Sequence, residues 1–225
     1  MILQENALYK TKRKDKTSVF ENMKIITIHT TALETNTYLV LNGAEAFVVD
    51  PGDNAEGILS TAKEEGAEVK WVLLTHAHFD HTGAVAALQA AGALVVMHRD
   101  DVPLISSFRN LAFYAGCKVD KFVPDVVVSG AETLDVCGLD VCVIHTPGHT
   151  SGGVCYVVGD SIFSGDTLFE LSYGRTDFPT GSFKELKNSV VNKLFALKGD
   201  YKVYPGHGAP TTLQFEREHN PILTD

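Results

Sequence analysis

Residues 75–81 read THAHFDH and place three histidines and one aspartate between two regular elements. The preceding residues 69–74, VKWVLL, are apolar and rich in strand-forming side chains, which predicts a buried strand. Residues 82–92, TGAVAALQAAG, are rich in alanine and end in glycine, which predicts a helix. A polar loop between a buried strand and a helix is where α/β folds place their functional sites, so this feature points to that fold class.

Strand and helix signals alternate along the rest of the chain. Short strands are predicted at residues 25–28, 37–41, 46–49, 93–97, 126–128, 139–144, 154–158, 161–164 and 201–204. Helices are predicted at residues 55–65, 101–115 and 182–197, the last with a capping box between Ser182 and Glu185. The strands form two groups, each with its own helices. We therefore predict an α/β fold in which two mixed sheets pack face to face with helices outside.

The first 22 residues differ from the rest of the chain. They hold five of the 19 Lys and Arg residues but three of the 28 Asp and Glu residues, and they lack a sustained apolar period. We predict that residues 1–22 are a poorly ordered extension and that residues 23–225 form one folded domain, with a basic arm for an anionic partner as the alternative for the first segment. The net charge of −9 gives no electrostatic reason to bind nucleic acid.

The distribution of apolar residues and cysteines suggests a cellular location. No apolar run reaches the roughly 18 residues that a membrane span needs, and the first residues do not resemble a signal peptide. The four cysteines include no CxxC pair, so we expect free, largely buried thiols. We expect a cytoplasmic protein without a membrane partner, and the oligomeric state stays open.

Three further motifs place a potential metal ligand after a predicted strand. They are TPGHT, SGDT and YPGHG, and each alone is weak evidence because His or Asp beside Gly is usually a turn residue. Together with the first motif they supply five imidazoles and two carboxylates: His76, His78, Asp80, His81, His149, Asp166 and His207. The remaining histidines are assigned to structure or surface: His29, His98, His145 and His219.

The residue types and spacing suit two metal ions. His76 and His78 are two residues apart, so in extended backbone their side chains point the same way, while Asp80 and His81 turn toward a second ion. Imidazole and carboxylate ligands without thiolate suit zinc, iron or manganese, and we expect zinc first. Two ions about 3.5–4 Å apart activate water and polarise a carbonyl or phosphoryl oxygen. The set is typical of a hydrolase.

The motif order HxHxDH, His, Asp, His resembles the metallo-β-lactamase superfamily from Met23 to the end of the chain. The resemblance implies an αββα sandwich with a dinuclear site at one edge of the two sheets. Asp50 in VVDPG matches a position that supports the metal loop from behind, and a plain turn residue is the alternative. The implied ligands are His76, His78 and His149 for the first ion, Asp80, His81 and His207 for the second, and Asp166 as the bridge.

Within the superfamily, residues 170–182 (ELSYGRTDFPTGS) and the terminal PGHGAPTTLQFEREHNP are similar to small glyoxalase II-like hydrolases. This resemblance implies a thioesterase of the hydroxyacylglutathione hydrolase type. It would act on S-lactoylglutathione or a related small thioester through a hydroxide that bridges the metals. Asp80 would orient this nucleophile, and Tyr173 and Arg175 would contact the substrate. An ion pair between Arg175 and Asp177 is the alternative for the arginine.

Several other activities remain as alternatives. Full-length glyoxalase II carries a C-terminal helical domain with basic residues for glutathione, which the resemblance here does not include, so another thioester, an ester or a lactone stays open. A persulfide dioxygenase would hold one Fe(II) with His76, His149 and Asp166. The PGHG motif keeps the hydrolase form and favours hydrolysis over that reaction. The GRTD segment disfavours β-lactam hydrolysis, and the acidic charge disfavours a nuclease.

Overall fold

Two six-stranded sheets form the centre of the computed structural model, which describes residues 23–225. The prediction for residues 1–22 lies outside the described residues. The first sheet holds its strands in chain order: β1 (Met23–Thr30), β2 (Thr35–Asn42), β3 (Glu45–Val49), β4 (Glu68–Leu73), β5 (Leu94–His98) and β6 (Val126–Val128). Strands β1 to β3 pair antiparallel and β3 to β6 pair in parallel, so the sheet is mixed.

The second sheet is built from the following half of the chain. Its elements and an intervening hairpin are β7 (Thr133–Val136), β8 (Leu139–His145), β9 (Val154–Val158), β10 (Ser161–Gly165), the hairpin β11 (Leu168–Phe169) and β12 (Ser172–Tyr173), β13 (Lys202–Pro205) and β14 (Thr211–Thr212). The strand order is β14-β13-β10-β9-β8-β7. Strands β10 and β13 pair in parallel and the other neighbours antiparallel, so this sheet is also mixed.

Short helices cover the outer faces of both sheets. They are α1 (Ala55–Glu64), α2 (Phe79–Thr82), α3 (Val85–Ala90), α4 (Phe183–Ser189) and α5 (Leu213–His219). Helices α1 and α3 contribute buried side chains to one apolar cluster with the first sheet, and α4 and α5 contribute to another with the second sheet. Helix α4 continues into a π-helical turn at Val190–Leu194. Within residues 23–225, no helix combines the length and apolar character needed to cross a lipid bilayer.

Successive side chains of a strand point to opposite faces of its sheet and so belong to different apolar layers. In β2, Leu39 and Leu41 belong to the cluster with α1 and α3, whereas Tyr38 and Val40 belong to the cluster between the sheets. The ring of Tyr38 lies 5.4 Å from that of Phe163 in β10, across this interface. Alternate residues of a strand point to opposite faces, so both faces of the sheet are apolar. The predicted αββα sandwich of two mixed sheets is confirmed.

The predicted helix at residues 101–115 is wrong. The structure has only two short 3₁₀ turns there, Val102–Leu104 and Phe108–Asn110. Ser107 interrupts the segment in extended conformation, and Leu111 adopts a φ of 69°. A left-handed residue cannot continue a right-handed helix, so the chain turns at Leu111 instead.

The predicted helix at residues 82–92 is divided into α2 and α3. A Cβ atom at Gly83 would lie 2.2 Å from the carbonyl oxygen of Gly52, so the loop before α1 packs directly on the break. The helix at Ser182 is confirmed, but only half of its capping box forms. The Ser182 hydroxyl accepts from the N–H of Glu185, while the Ser182 N–H donates to the carbonyl of Gly148.

The cysteines agree in part with the prediction. All four thiols are free, as expected from the absence of a CxxC pair. Cys137 and Cys155 are buried, whereas Cys117 and Cys142 are exposed, so the expectation of largely buried thiols holds for half of them. Burial raises the pKa of Cys155 to about 11, which makes this thiol unreactive at neutral pH.

Candidate metal centre

The seven predicted ligands lie at one edge of the sandwich, after strands of both sheets. His76 and His78 follow β4, while Asp80 and His81 lie in α2. Because α2 begins immediately after His78, the first motif turns from extended to helical backbone and separates its two pairs of ligands. The remaining residues follow β8, β10 and β13 of the second sheet: His149, Asp166 and His207.

Three histidines form the first group of potential ligands. One ring nitrogen from each of His76, His78 and His149 lies within 4.8 Å of the others. Nδ1 of His78 and Nε2 of His149 are 2.9 Å apart. Burial lowers the pKa of His76 and His78 well below the usual value, and the neighbouring imidazoles lower it further. Both rings are therefore neutral and keep a lone pair for a metal ion.

Asp80, His81 and His207 form the second group. Oδ2 of Asp80 lies 3.4 Å from Nε2 of His81 and 3.2 Å from Nε2 of His207. Burial alone would raise the pKa of Asp80, but His81 and His207 hold it far below the usual range. Burial would lower the pKa of His81, but the carboxylates of Asp80, Asp166 and Asp50 raise it instead. Asp80 is thus ionised, which is the form that binds a cation.

Asp166 lies between the two groups. Its Oδ1 is 3.5 Å from Nε2 of His81, and its Oδ2 is 3.4 Å from Nε2 of His149 and 3.8 Å from Nε2 of His207. One oxygen thus faces the second group while the other faces both. A carboxylate in this position can coordinate two ions at once.

The unsatisfied polar atoms test whether these residues fit metal ions. Within residues 23–225, six buried side-chain nitrogen or oxygen atoms lack a hydrogen-bond partner, and four of them belong to His76, His78, His81 and Asp166. Such atoms are costly when buried, and their concentration at one place needs an explanation. The donor set consists of imidazoles and carboxylates, so metal ions would satisfy it.

Asp50 supports the first motif from behind. Its Oδ1 accepts from the N–H of Thr75 at 2.7 Å, and its Oδ2 accepts from the Thr75 hydroxyl at 2.5 Å. Oδ2 also lies 3.0 Å from Nδ1 of His81, and Nδ1 of His76 lies 3.0 Å from the Thr75 hydroxyl oxygen. Both Asp50 oxygens are thus engaged, and Nε2 of each histidine is left for a metal. The structure therefore places Asp50 behind the first motif, in contact with Thr75 and His81.

Backbone carbonyls orient two other histidines in the same way. Nδ1 of His149 lies 2.8 Å from the carbonyl oxygen of Arg175, and Nδ1 of His207 lies 3.1 Å from that of Leu33. A ring that donates from Nδ1 carries its lone pair on Nε2, and Nε2 is the atom that faces Asp166 in both cases. The tautomer that metal binding requires is therefore set by the fold.

Asp101 is a site residue that sequence analysis missed. It is fully buried, and its carboxylate connects the THAHFDH loop with the loop that carries His149. Oδ2 accepts from the N–H of Ala77 at 3.0 Å and from the Thr150 hydroxyl at 2.8 Å, and Oδ1 accepts from the N–H of Gly152 at 2.7 Å. The available signal was an aspartate three residues after the end of β5, at the same edge as the other motifs.

A separate cluster contains His98, Asp100 and His145, whose potential ligand atoms are also close together. The two rings stack with centroids 4.1 Å apart and planes 14° apart. Nε2 of His145 is engaged with the carbonyl of Ser151 at 2.9 Å, and Nδ1 of His98 with the N–H of Asp100 at 3.2 Å. These contacts agree with the structural role assigned to both histidines.

The two predicted substrate-contacting residues line a cavity of about 830 Å³ beside the metal ligands. The hydroxyl of Tyr173 donates a hydrogen bond to Oδ2 of Asp225 at 2.6 Å. Arg175 forms the ion pair with Asp177 that was the alternative prediction, with both N–O distances at 2.7 Å. Arg175 therefore lies in the cavity wall and is an ion-pair partner at the same time.

Known proteins with the same fold and sequence pattern include several hydrolases. Hydroxyacylglutathione hydrolase GloC of Haemophilus influenzae is 34% identical over 208 residues, which cover 89% of this chain and 98% of GloC. The crystal structure of the B3 metallo-β-lactamase BLEG-1 has a TM-score of 0.84 and 34% identity, with 90% of this chain and 100% of that chain covered. The crystal structure of TTHA1623 in a di-iron-bound form has a TM-score of 0.78 and 36% identity, with 87% and 98% covered.

The family assignment covers most of the chain. The metallo-beta-lactamase superfamily pattern matches residues 30–207, a range that contains all seven predicted metal ligands. The identity to GloC extends over nearly the whole length of both proteins. The chain belongs to the metallo-β-lactamase superfamily, as the order of its motifs predicted.

Proposed function

We propose that this protein is a dinuclear metal-dependent hydrolase that cleaves a small thioester. The observation that carries the proposal is the pair of ligand groups with the carboxylate of Asp166 between them. The ligand types suit zinc first, with iron or manganese as alternatives, and the di-iron form of TTHA1623 supports iron. When bound, two such ions polarise a carbonyl oxygen and lower the pKa of a water molecule.

The protein's own groups prepare the site for this chemistry. Asp80 is ionised, and its Oδ2 accepts from the hydroxyl of Thr35 at 3.2 Å, which holds the carboxylate in place. Because Asp80 lies beside both His207 and the cavity, we propose that it also orients the attacking water by accepting a hydrogen bond from it. The thioester carbonyl would lie in the cavity against His149 and Asp166.

The thioester as the scissile bond is supported by the relatives and by the chemistry available. GloC is named as a hydroxyacylglutathione hydrolase, and a Bacillus subtilis relative with 31% identity is named as a probable metallo-hydrolase. A thiolate departs without much help from a proton donor, and a site made of metal ligands needs no separate acid for it. S-lactoylglutathione is therefore the first substrate to test.

The test combines metal content with hydrolysis of S-lactoylglutathione in one preparation. We expect two metal ions per chain and turnover that His78→Ala reduces at least 100-fold, because the variant removes one ligand of the first group. The control is His219→Ala. His219 is exposed, and its Nδ1 lies beside the carbonyl oxygen of Phe215 in the same helix, α5. One iron per chain, with oxygen consumption on a persulfide and no thioester turnover, would establish the dioxygenase instead.

Hydrolysis of β-lactams is the second candidate. The observation that favours it is the similarity to BLEG-1, named as a B3 metallo-β-lactamase, over nearly all of both chains. The amide of a strained lactam ring needs the same polarised carbonyl and activated water as a thioester. A chromogenic cephalosporin assayed beside the thioester distinguishes the two, because the preferred substrate will have the larger kcat/KM. Simple esters and lactones belong in the same panel.

A further inference from the structure

Apart from the metal ligands, the wall of the cavity is mainly apolar. Its side chains include Leu111, Tyr114, Phe169 and Phe178. A volume of about 830 Å³ is enough to enclose most of a small organic molecule. The metal ligands form one side of this space, so a substrate with its carbonyl at the metals would place its remaining atoms against these apolar groups.

The segment that supplies Leu111 and Tyr114 to this wall has an unusual backbone conformation. Leu111 adopts a φ of 69°, which is uncommon for a residue other than glycine. The turn at Leu111 brings both Leu111 and Tyr114 to the cavity, where a continued helix would have carried the chain straight on. Leu111 is 8% exposed, whereas Tyr114 is 69% exposed and lies at the cavity rim. A strained residue held at a binding cavity is evidence that its position matters to the ligand.

The cavity offers little to a charged substrate. Among the described residues that line it, Arg175 is the only Lys or Arg. Its guanidinium is bound by both oxygens of Asp177 and lies 3.8 Å above the ring of Phe178. The pairing with Arg175 also lowers the pKa of Asp177 to about 2, so this carboxylate stays charged at neutral pH. The arginine is therefore already paired, and the described lining offers no other Lys or Arg to an anionic group.

We propose that the site selects thioesters in which both the acyl chain and the thiol part are uncharged, with an apolar acyl chain lying against Leu111, Tyr114 and Phe169. This inference rests on the proposed thioesterase function. Each methylene that leaves water improves binding about fourfold, so an acyl chain of several carbons is favoured over acetyl. A glutathione thioester, with two carboxylates and one ammonium group, would find no unpaired Lys or Arg in the described wall.

The proposal can be tested with three thioesters that differ in one property at a time. Hexanoyl-N-acetylcysteamine is uncharged and long, acetyl-N-acetylcysteamine is uncharged and short, and hexanoylglutathione is charged and long. We expect kcat/KM for the first to exceed each of the other two at least tenfold. An equal or larger kcat/KM for hexanoylglutathione, or no preference for hexanoyl over acetyl, overturns the inference alone. No turnover with any of the three overturns the proposed function as well.

Two surface variants link the preference to the cavity wall. Tyr114→Ser removes an exposed ring at the rim, and we expect it to lower the ratio of kcat/KM for the hexanoyl thioester to kcat/KM for the acetyl thioester at least threefold. Phe113→Ser is the matched control, because Phe113 is 79% exposed and lies outside the cavity lining. Equal loss of the preference in both variants would show that the wall at Tyr114 does not set acyl selection.

Discussion

Replacement of Asp101 by asparagine tests whether a buried carboxylate holds the two metal loops together. The change keeps the size of the side chain but leaves one acceptor oxygen where the aspartate has two. If that oxygen keeps the bonds to Ala77 and Thr150, the new amide NH₂ faces the N–H of Gly152, which then has no acceptor. The link between the two loops therefore loses one of its three hydrogen bonds.

The magnitude follows from the lost contact. A hydrogen bond to a charged group contributes about 1.5–3 kcal/mol, and an unsatisfied buried N–H costs about 1–3 kcal/mol. Burial raises the pKa of Asp101, so removal of the charge recovers part of this cost. We expect a net loss of about 2–3 kcal/mol in the free energy of unfolding. If the strain falls on the site, the same energy corresponds to a decrease of roughly 30–160-fold in kcat/KM.

The assay compares Asp101→Asn with wild type and with Asp100→Asn. Urea unfolding followed through the single tryptophan, Trp71, gives the free energy of unfolding, and metal analysis with thioester hydrolysis reports on the site. Asp100 is the matched control because its side chain is 47% exposed. If the free energy of unfolding of Asp101→Asn stays within about 0.5 kcal/mol of wild type, and its kcat/KM within about twofold, the carboxylate does not couple the loops.

Three further predictions concern a glycine, a carboxylate and the thiols. Gly206→Ala should abolish metal binding, because the new Cβ would lie 2.3 Å from Oδ1 of Asp166, and metal analysis of the purified variant checks this. Burial would raise the pKa of Glu132, but backbone N–H groups lower it from 4.5 to about 2. The ionised form of Glu132 therefore stabilises the fold above pH 4.5, and this contribution is lost as the pH falls toward 2. Glu132→Gln should therefore cost about 1 kcal/mol near neutral pH, after a discount for solvent screening, and about half as much at pH 3 in urea unfolding. A thiol reagent should label two cysteines, Cys117 and Cys142, in the native protein and all four in denaturant, and labelling of all four without denaturant would contradict the described burial.

The candidate site was largely predictable because its ligands lie in short motifs. Residues such as His76 and His78 are two apart and directly follow an apolar strand, so local sequence reports both their direction and their position. Asp101 could not be found in this way. Its partners, Ala77, Thr150 and Gly152, are 24, 49 and 51 residues away in the sequence, and only the folded chain brings them together.

The parts of the fold that could be predicted are those whose hydrophobic pattern extends over several residues. Alternation in β2 and β3 gave their positions to within two residues, but β14 has only two residues and was missed. The segment at residues 101–115 failed for a different reason. Its composition allows a helix, but the left-handed Leu111 ends any helical path, and nothing local marks a leucine for that conformation.

Each half of the chain builds one sheet, and each group of ligands draws on both halves. His81 comes from the half that ends with β6, and His207 from the half that begins with β7, yet both lie beside Asp80. Metal ions at this edge would thus cross-link the two sheets, because each ion would bind residues from both halves of the chain. A chain cut at Gly130, between β6 and β7, should then reassemble more tightly when metal is supplied than when a chelator is present.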